Sequence, residues 1–137
     1  MKEHSTNYFN TFIEIAEDSK ATQGEIPPEK GDTKTVASIQ FEIVSQNPYK
    51  YTSDDVFFQV YAYKQDLIPA EYAEARKEFF SKGQPCFRAS PLTKRYGWGV
   101  HSNSEGKIAL YSCNSAEYEH LAHDPNLKTV KAMKSGK

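Results

Sequence analysis

Residues 97–113, with the sequence GWGVHSNSEGKIALYSC, determine the fold that we predict for this chain. Two runs rich in apolar residues, 97–102 and 107–113, flank the polar stretch 103–106, which ends in a glycine. Glycine suits a turn position that needs a positive φ angle, so the pattern predicts a β-hairpin. We expect this hairpin to form the core of the sheet.

Helices are predicted on both sides of the hairpin. Residues 69–82 carry apolar side chains at helical spacing, between a proline that suits the first turn and Gly83, which ends the pattern. Residues 115–123 begin with a serine that can cap a helix, and helical spacing turns Tyr118 and Leu121 inward.

Two earlier segments fit either a helix or a strand. In residues 36–46, apolar side chains alternate as in a strand but also cluster on one helical face, with Asp32 or Thr33 available as the cap. Residues 53–65 follow a capping box that starts at Thr52, although their β-rich composition also suits a strand. We predict helices for both segments and retain strands as the alternative.

Composition and length predict one domain that spans residues 1–137. Residues 11–15 are short, β-branched and aromatic, which predicts a strand, and residues 17–34 are expected to form a surface loop. The segments 1–7 and 130–137 are taken as loose ends. The elements together predict an α+β fold, with three to four helices packed on a small, mostly antiparallel sheet, and a winged-helix-like arrangement is the alternative.

The charge is balanced overall but unevenly distributed. The chain has 18 acidic and 17 basic residues, which excludes a uniformly basic nucleic-acid coat. Residues 1–75 have a net charge of −7, whereas residues 76–107 have a net charge of +5. The second of these segments is called the basic island below.

The polar N-terminus and the absence of a long apolar run predict a cytoplasmic protein without a membrane span. Cys86 and Cys113 lack metal-ligand spacing and are expected to be reduced thiols. His120 and His123 lie one helical turn apart, but no third ligand accompanies them, so we expect two solvated histidines. No metal or other cofactor is predicted.

Residues 81–101 combine basic and aromatic side chains with glycine and proline, which favours a binding site for an anion. Guanidinium groups bind phosphate or carboxylate, and aromatic rings provide stacking surfaces. Our first hypothesis is therefore a binding module for a phosphorylated small molecule or nucleic acid, and its oligomeric state is left open. The predicted contact residues are Arg88, Lys94, Arg95, Tyr96, Trp98 and His101. An irregular connector with the indole in the core is the structural alternative.

Two other classes of function are compatible with the sequence. A small enzyme would use Cys86, or the pair Asp54 and Asp55, together with His101 as a base. Helix capping is the simpler explanation of the two carboxylates. A protein-interaction domain without a ligand would use a tyrosine-rich surface, formed by Tyr49, Tyr51 and Tyr63.

Three longer strings, at residues 47–56, 79–86 and 88–101, and a short one at 132–134 resemble a family of small bacterial proteins of unknown function. The strings read NPYKYTSDDV, FFSKGQPC, RASPLTKRYGWGVH and AMK. The resemblance extends over residues 8–134 and implies a free-standing, single-domain cytoplasmic protein with no assigned activity. No catalytic residue is therefore carried over from the family.

Overall fold

A four-stranded sheet with the strand order β3-β2-β1-β4 organises the molecule. The computed structural model describes residues 4–29, 31 and 33–135. The strands pair antiparallel except for β1 and β4, which are parallel. Their bounds are Thr11–Glu14 for β1, Trp98–Ser102 for β2, Ile108–Ser112 for β3 and Lys128–Lys131 for β4.

Five α-helices surround the sheet in the described part of the chain. A 3₁₀ turn, Pro69–Glu71, precedes α3, and a second one, Phe87–Ala89, precedes α4. The helices are Val36–Gln46 for α1, Ser53–Lys64 for α2, Tyr72–Phe79 for α3, Pro91–Lys94 for α4 and Ala116–Ala122 for α5. The α+β class with a mostly antiparallel sheet is confirmed.

Helix caps resolve the two ambiguous segments in favour of helices. Thr35 caps α1, because its side chain accepts a hydrogen bond from the Ser38 amide; the cap is therefore not Thr33, and Asp32 lies outside the described residues. Thr52 and Asp55 form the expected reciprocal capping box at the start of α2. These local hydrogen bonds satisfy amides at the helix starts, which favours helix over strand.

The hairpin is confirmed, and Gly106 has the expected positive φ angle of 81° in its turn. The helix predicted over 69–82 is shorter than expected, because its first turn is 3₁₀ and the α-helix ends at Phe79. Strand β4 and helix α4 were not predicted. Strand β4 includes two residues of the segment that we took as a loose end.

Alternation along β2 separates the two faces of the sheet. Val100 points toward α1 and α4 and is fully buried in the main core with Ile13 and Ile108. On the opposite face, Phe12 meets the ring of Tyr118 from α5 edge-on, with ring centres 4.9 Å apart. In the described residues, no helix is long and apolar enough to cross a bilayer.

Gly99 permits the close approach of α5 to the sheet. A Cβ atom at this position would lie 2.6 Å from Cζ of Phe12 and 2.7 Å from Cε2 of Tyr118. We expect Gly99→Ala to lower the free energy of unfolding by about 2 kcal/mol, because overpacking forces the rings apart. Gly83→Ala is the control, since nothing lies within 4 Å of a Cβ there. Urea denaturation measures both, and equal stabilities would contradict the packing described.

Candidate functional site

The indole of Trp98 is partly buried on the helix face of the sheet. Its Nε1 donates a hydrogen bond of 2.8 Å to the carbonyl of Glu25. The ring covers Gly24 and lies 5.3 Å from the ring of Phe41, measured between centres. The indole therefore fills the space between the loop before α1 and the helix itself.

His101 lies on the other face of the sheet from Trp98, because the two residues are an odd number of positions apart in β2. Its Nδ1 is 2.7 Å from the hydroxyl oxygen of Tyr49. Two of the predicted contact residues, Trp98 and His101, therefore do not share one face of the sheet. A strand presents every second side chain to the same side, and the sheet separates the two rings.

The four other predicted contact residues are distributed along the approach to β2. Arg88 donates from Nε to the carbonyl of Lys131 at 2.8 Å, which connects the second 3₁₀ turn to β4. Lys94 ends α4, and Arg95 follows it as an exposed residue. Tyr96 is partly buried against the main core. Ligand contacts by these four residues remain a prediction.

A hydrogen-bonded chain of three rings lies on the face of the sheet that carries His101. The hydroxyl of Tyr49 bridges His101 and the hydroxyl of Tyr111, which is 2.8 Å away. Tyr49 has a φ angle of 59°, in the left-handed region that a bulky residue seldom adopts. Burial raises the pKa of Tyr49 and lowers the pKa of His101. His101 Nδ1 and the hydroxyl oxygens of Tyr49 and Tyr111 thus form one continuous hydrogen-bonded chain.

The proposed catalytic groups belong to separate hydrogen-bond networks. Asp54 accepts bonds from the side chains of Ser5 and Thr6, so it anchors the N-terminal segment to α2. The Sγ of Cys86 lies 3.4 Å from the hydroxyl of Tyr8. No hydrogen bond among the described residues joins Cys86, Asp54 or Asp55 to His101.

The two histidines near the end of α5 do not form part of a metal-ligand set in the described chain. No group of three or more histidine, cysteine, aspartate or glutamate side chains within residues 4–29, 31 and 33–135 can hold a metal ion. His120 and His123 are both exposed, and His123 Nδ1 lies 2.9 Å from the Glu119 carbonyl oxygen. This placement agrees with solvated side chains.

A groove of about 1140 Å³ lies between α2 and α3. The aromatic side chains provide much of its wall, and the rings of Phe58 and Tyr72 meet edge-on at 5.7 Å between centres. Of the tyrosines that we assigned to an interaction surface, Tyr51 and Tyr63 line this groove, whereas Tyr49 does not. The lining residues are Tyr51, Asp55, Phe58, Gln59, Ala62, Tyr63, Asp66, Leu67, Pro69, Tyr72, Ala73 and Arg76.

Arg76 is the basic side chain of the groove and the first residue of the basic island. Its Nη2 donates to Oδ1 of Asp55 at 2.9 Å. The guanidinium carbon lies 5.7 Å from the ring centre of Phe58 and 5.5 Å from that of Phe80. Among the described residues, no other side-chain N–H donor of Arg76 has a protein acceptor. Arg76 is not among the predicted contact residues, because two of its partners, Asp55 and Phe58, belong to a different helix.

The fold and the groove define the class of the protein: a small α+β domain with a groove lined by aromatic side chains and no metal-ligand set in its described residues. The chain belongs to the family of unknown function DUF6157, whose model matches residues 3–137. The resemblance found in the sequence is thereby confirmed. No curated protein and no solved structure matched the chain.

The lowered pKa of His101 predicts a loss of stability in weak acid. Burial of the ring is the main cause, and the nearby charge of Asp124 opposes it. Below pH 6.5, the ordinary pKa of histidine, the unfolded chain binds the proton before the folded chain does. The free energy of unfolding therefore decreases as the pH is lowered, until the pH reaches the pKa of His101 in the folded state.

We expect His101→Asn to reduce this pH dependence, because asparagine accepts from Tyr49 without titrating. Urea midpoints at about pH 7.5 and about pH 5.5 measure the effect. His123→Asn serves as the control, since that exposed histidine should leave the pH dependence as it is in the natural chain. Identical pH dependence in the natural chain and the His101 variant would show that His101 is not responsible.

Proposed function

We propose that this protein is a binding module for a small organic acid, which it holds in the groove between α2 and α3. The position of Arg76 carries the proposal: its guanidinium is fixed by Asp55 and two aromatic rings, and most of its donors have no acceptor in the described residues. A carboxylate or phosphate supplies the missing acceptors through charge-assisted hydrogen bonds.

Preorganisation makes Arg76 suitable for binding. Arginine side chains ordinarily lose rotamer freedom when they bind a ligand. Here the ion pair and the packing over Phe58 and Phe80 already restrict the side chain before any ligand arrives. Folding has therefore already removed much of the rotamer freedom that Arg76 would otherwise lose on binding.

The rest of the groove favours an organic body on the ligand. Asp55 and Asp66 also line the groove, so their carboxylates disfavour a bare inorganic anion. Phe58 and Tyr72 provide apolar area and ring faces, on which a planar group gains both burial and stacking. The ligand class is therefore an aromatic or other apolar molecule that carries one acidic group.

Phenylacetate and its neutral analogue phenylacetamide test the proposal, with backbone amide shifts of α2 and α3 as the readout. We expect phenylacetate to bind about tenfold more tightly, because a hydrogen bond to a charged group contributes about 1.5–3 kcal/mol. In Arg76→Met, which keeps an unbranched stem against the rings, that preference should disappear. Arg95→Met is the matched control at an exposed arginine and should retain it.

Two results would contradict the proposal. If neither compound moves the amide signals of α2 and α3, the groove is not a binding site for this class of molecule. If Arg76→Met binds both compounds as the natural chain does, the guanidinium is not the group that recognises the acid.

We propose in second place that Lys94 and Arg95 bind nucleic acid or another polyanion, independently of the groove. The supporting observation is that neither side chain forms an ion pair within the described residues, although both belong to the basic island. Phosphate contacts release counterions, so the affinity for a polyanion falls steeply as salt concentration rises, unlike that for a nucleotide-sized ligand.

Binding of a single-stranded oligonucleotide at two salt concentrations tests this second surface. We expect the double variant Lys94→Ala, Arg95→Ala to bind more weakly and to reduce the salt slope by about 1 for each phosphate contact that is lost. Arg76→Met should bind the oligonucleotide unchanged. A double variant with the affinity and salt slope of the natural chain would eliminate this surface.

A further inference from the structure

A second cavity, of about 310 Å³, lies on the face of α2 that is opposite the groove. It is bounded by α1, α2 and the segment 84–91, and its lining is predominantly apolar. The apolar lining residues are Val36, Phe57, Val60, Phe79, Pro85, Ala89 and Pro91. Because groove and cavity lie on different faces of the helix, occupation of one leaves the other accessible.

Gln40 places one polar group against this cavity. Its side chain is 1% exposed, and its Oε1 accepts a hydrogen bond of 2.7 Å from Oγ of Ser90. The hydroxyl is the donor in that bond, because an amide oxygen carries no proton, and Ser90 Oγ also accepts from the amide of Leu92. The Nε2 group of Gln40 is therefore the end of the amide without an acceptor in the described residues.

Every fully buried side-chain nitrogen or oxygen atom of the described residues has a hydrogen-bond partner. Gln40 Nε2, which has no acceptor, therefore keeps some accessible surface beside the cavity that the residue lines. A group that occupies this space and accepts a hydrogen bond takes the place of solvent at this donor. The apolar walls require that the rest of the occupant be apolar as well.

Most other polar side chains of the cavity have a hydrogen-bond partner; the Tyr61 hydroxyl has none in the described residues. Gln84 donates from Nε2 to the carbonyl of Phe79 at 2.8 Å, and Lys64 donates to the carbonyl of Lys34. The Cys86 thiol lies next to the hydroxyl of Tyr8. Gln40 differs from these residues in being almost fully buried, and the apolar side chains around it disfavour a charged occupant at its amide.

We infer that this cavity is a binding site for a small, uncharged, apolar molecule with a carbonyl group, and that Gln40 Nε2 donates a hydrogen bond to the carbonyl oxygen. The volume is at the lower end of the range for small-molecule sites, which limits the occupant to about one ring with a short substituent. The inference does not rest on the acid-binding groove, since the two sites share no lining residue.

Acetophenone and toluene test the inference, because both carry a ring and only the first carries a carbonyl. The side-chain amide signals of Gln40 in a ¹H–¹⁵N spectrum report the hydrogen bond directly. We expect acetophenone to shift these signals downfield and to bind about fivefold more tightly than toluene, the ratio that one net hydrogen bond provides. Toluene should move the methyl signals of Val60 and Ala89 but not the Gln40 amide.

Gln40→Met provides the matched variant, since methionine has a similar length and no donor. We expect it to bind the two compounds equally, and Arg76→Met to retain the fivefold ratio. If the Gln40 variant does not fold, the amide shift in the natural chain decides by itself. The inference would be wrong if acetophenone did not move the Gln40 signals, or if the natural chain bound acetophenone and toluene equally tightly. Water would then be the partner of the amide.

Discussion

The alternation of side chains along strand β2 is the constraint on which the rest of the structure depends. The strand is paired on both sides, so its register is fixed by β1 and by β3. Val100 completes the main core on one face, and Gly99 admits Tyr118 on the other. The same alternation places Trp98 against Phe41 on one face and His101 beside Tyr49 on the other, so these two predicted contact residues do not form one surface.

Local signals account for the parts of the fold that could be predicted from the sequence. The capping box at Thr52 and the glycine turn at Gly106 act within a few residues, and both are present. Strand β4 depends on a distant partner: only one of its four residues is aliphatic, and its ladder exists because β1 lies beside it. The candidate site also depends on a contact between distant residues, since Arg76 in α3 pairs with Asp55 in α2.

Helix α2 connects the two proposed binding functions. Asp55 at its start fixes Arg76 in the groove, and Phe58 forms the groove wall. Phe57 and Val60, on the opposite face, line the cavity beside Gln40. Apolar residues on both faces explain why the sequence of α2 resembles a strand as much as a helix. The two sites differ in chemistry, because one offers the charged donor of Arg76 and the other the neutral amide donor of Gln40.

A crystal structure of the protein soaked with phenylacetate tests the central claim most directly, that a small organic acid binds beside α2 in contact with Arg76. The account predicts electron density in the groove, with the carboxylate within hydrogen-bond distance of Arg76 and the ring against Phe58 and Tyr72. An empty groove, with density instead at Lys94 and Arg95, would contradict it.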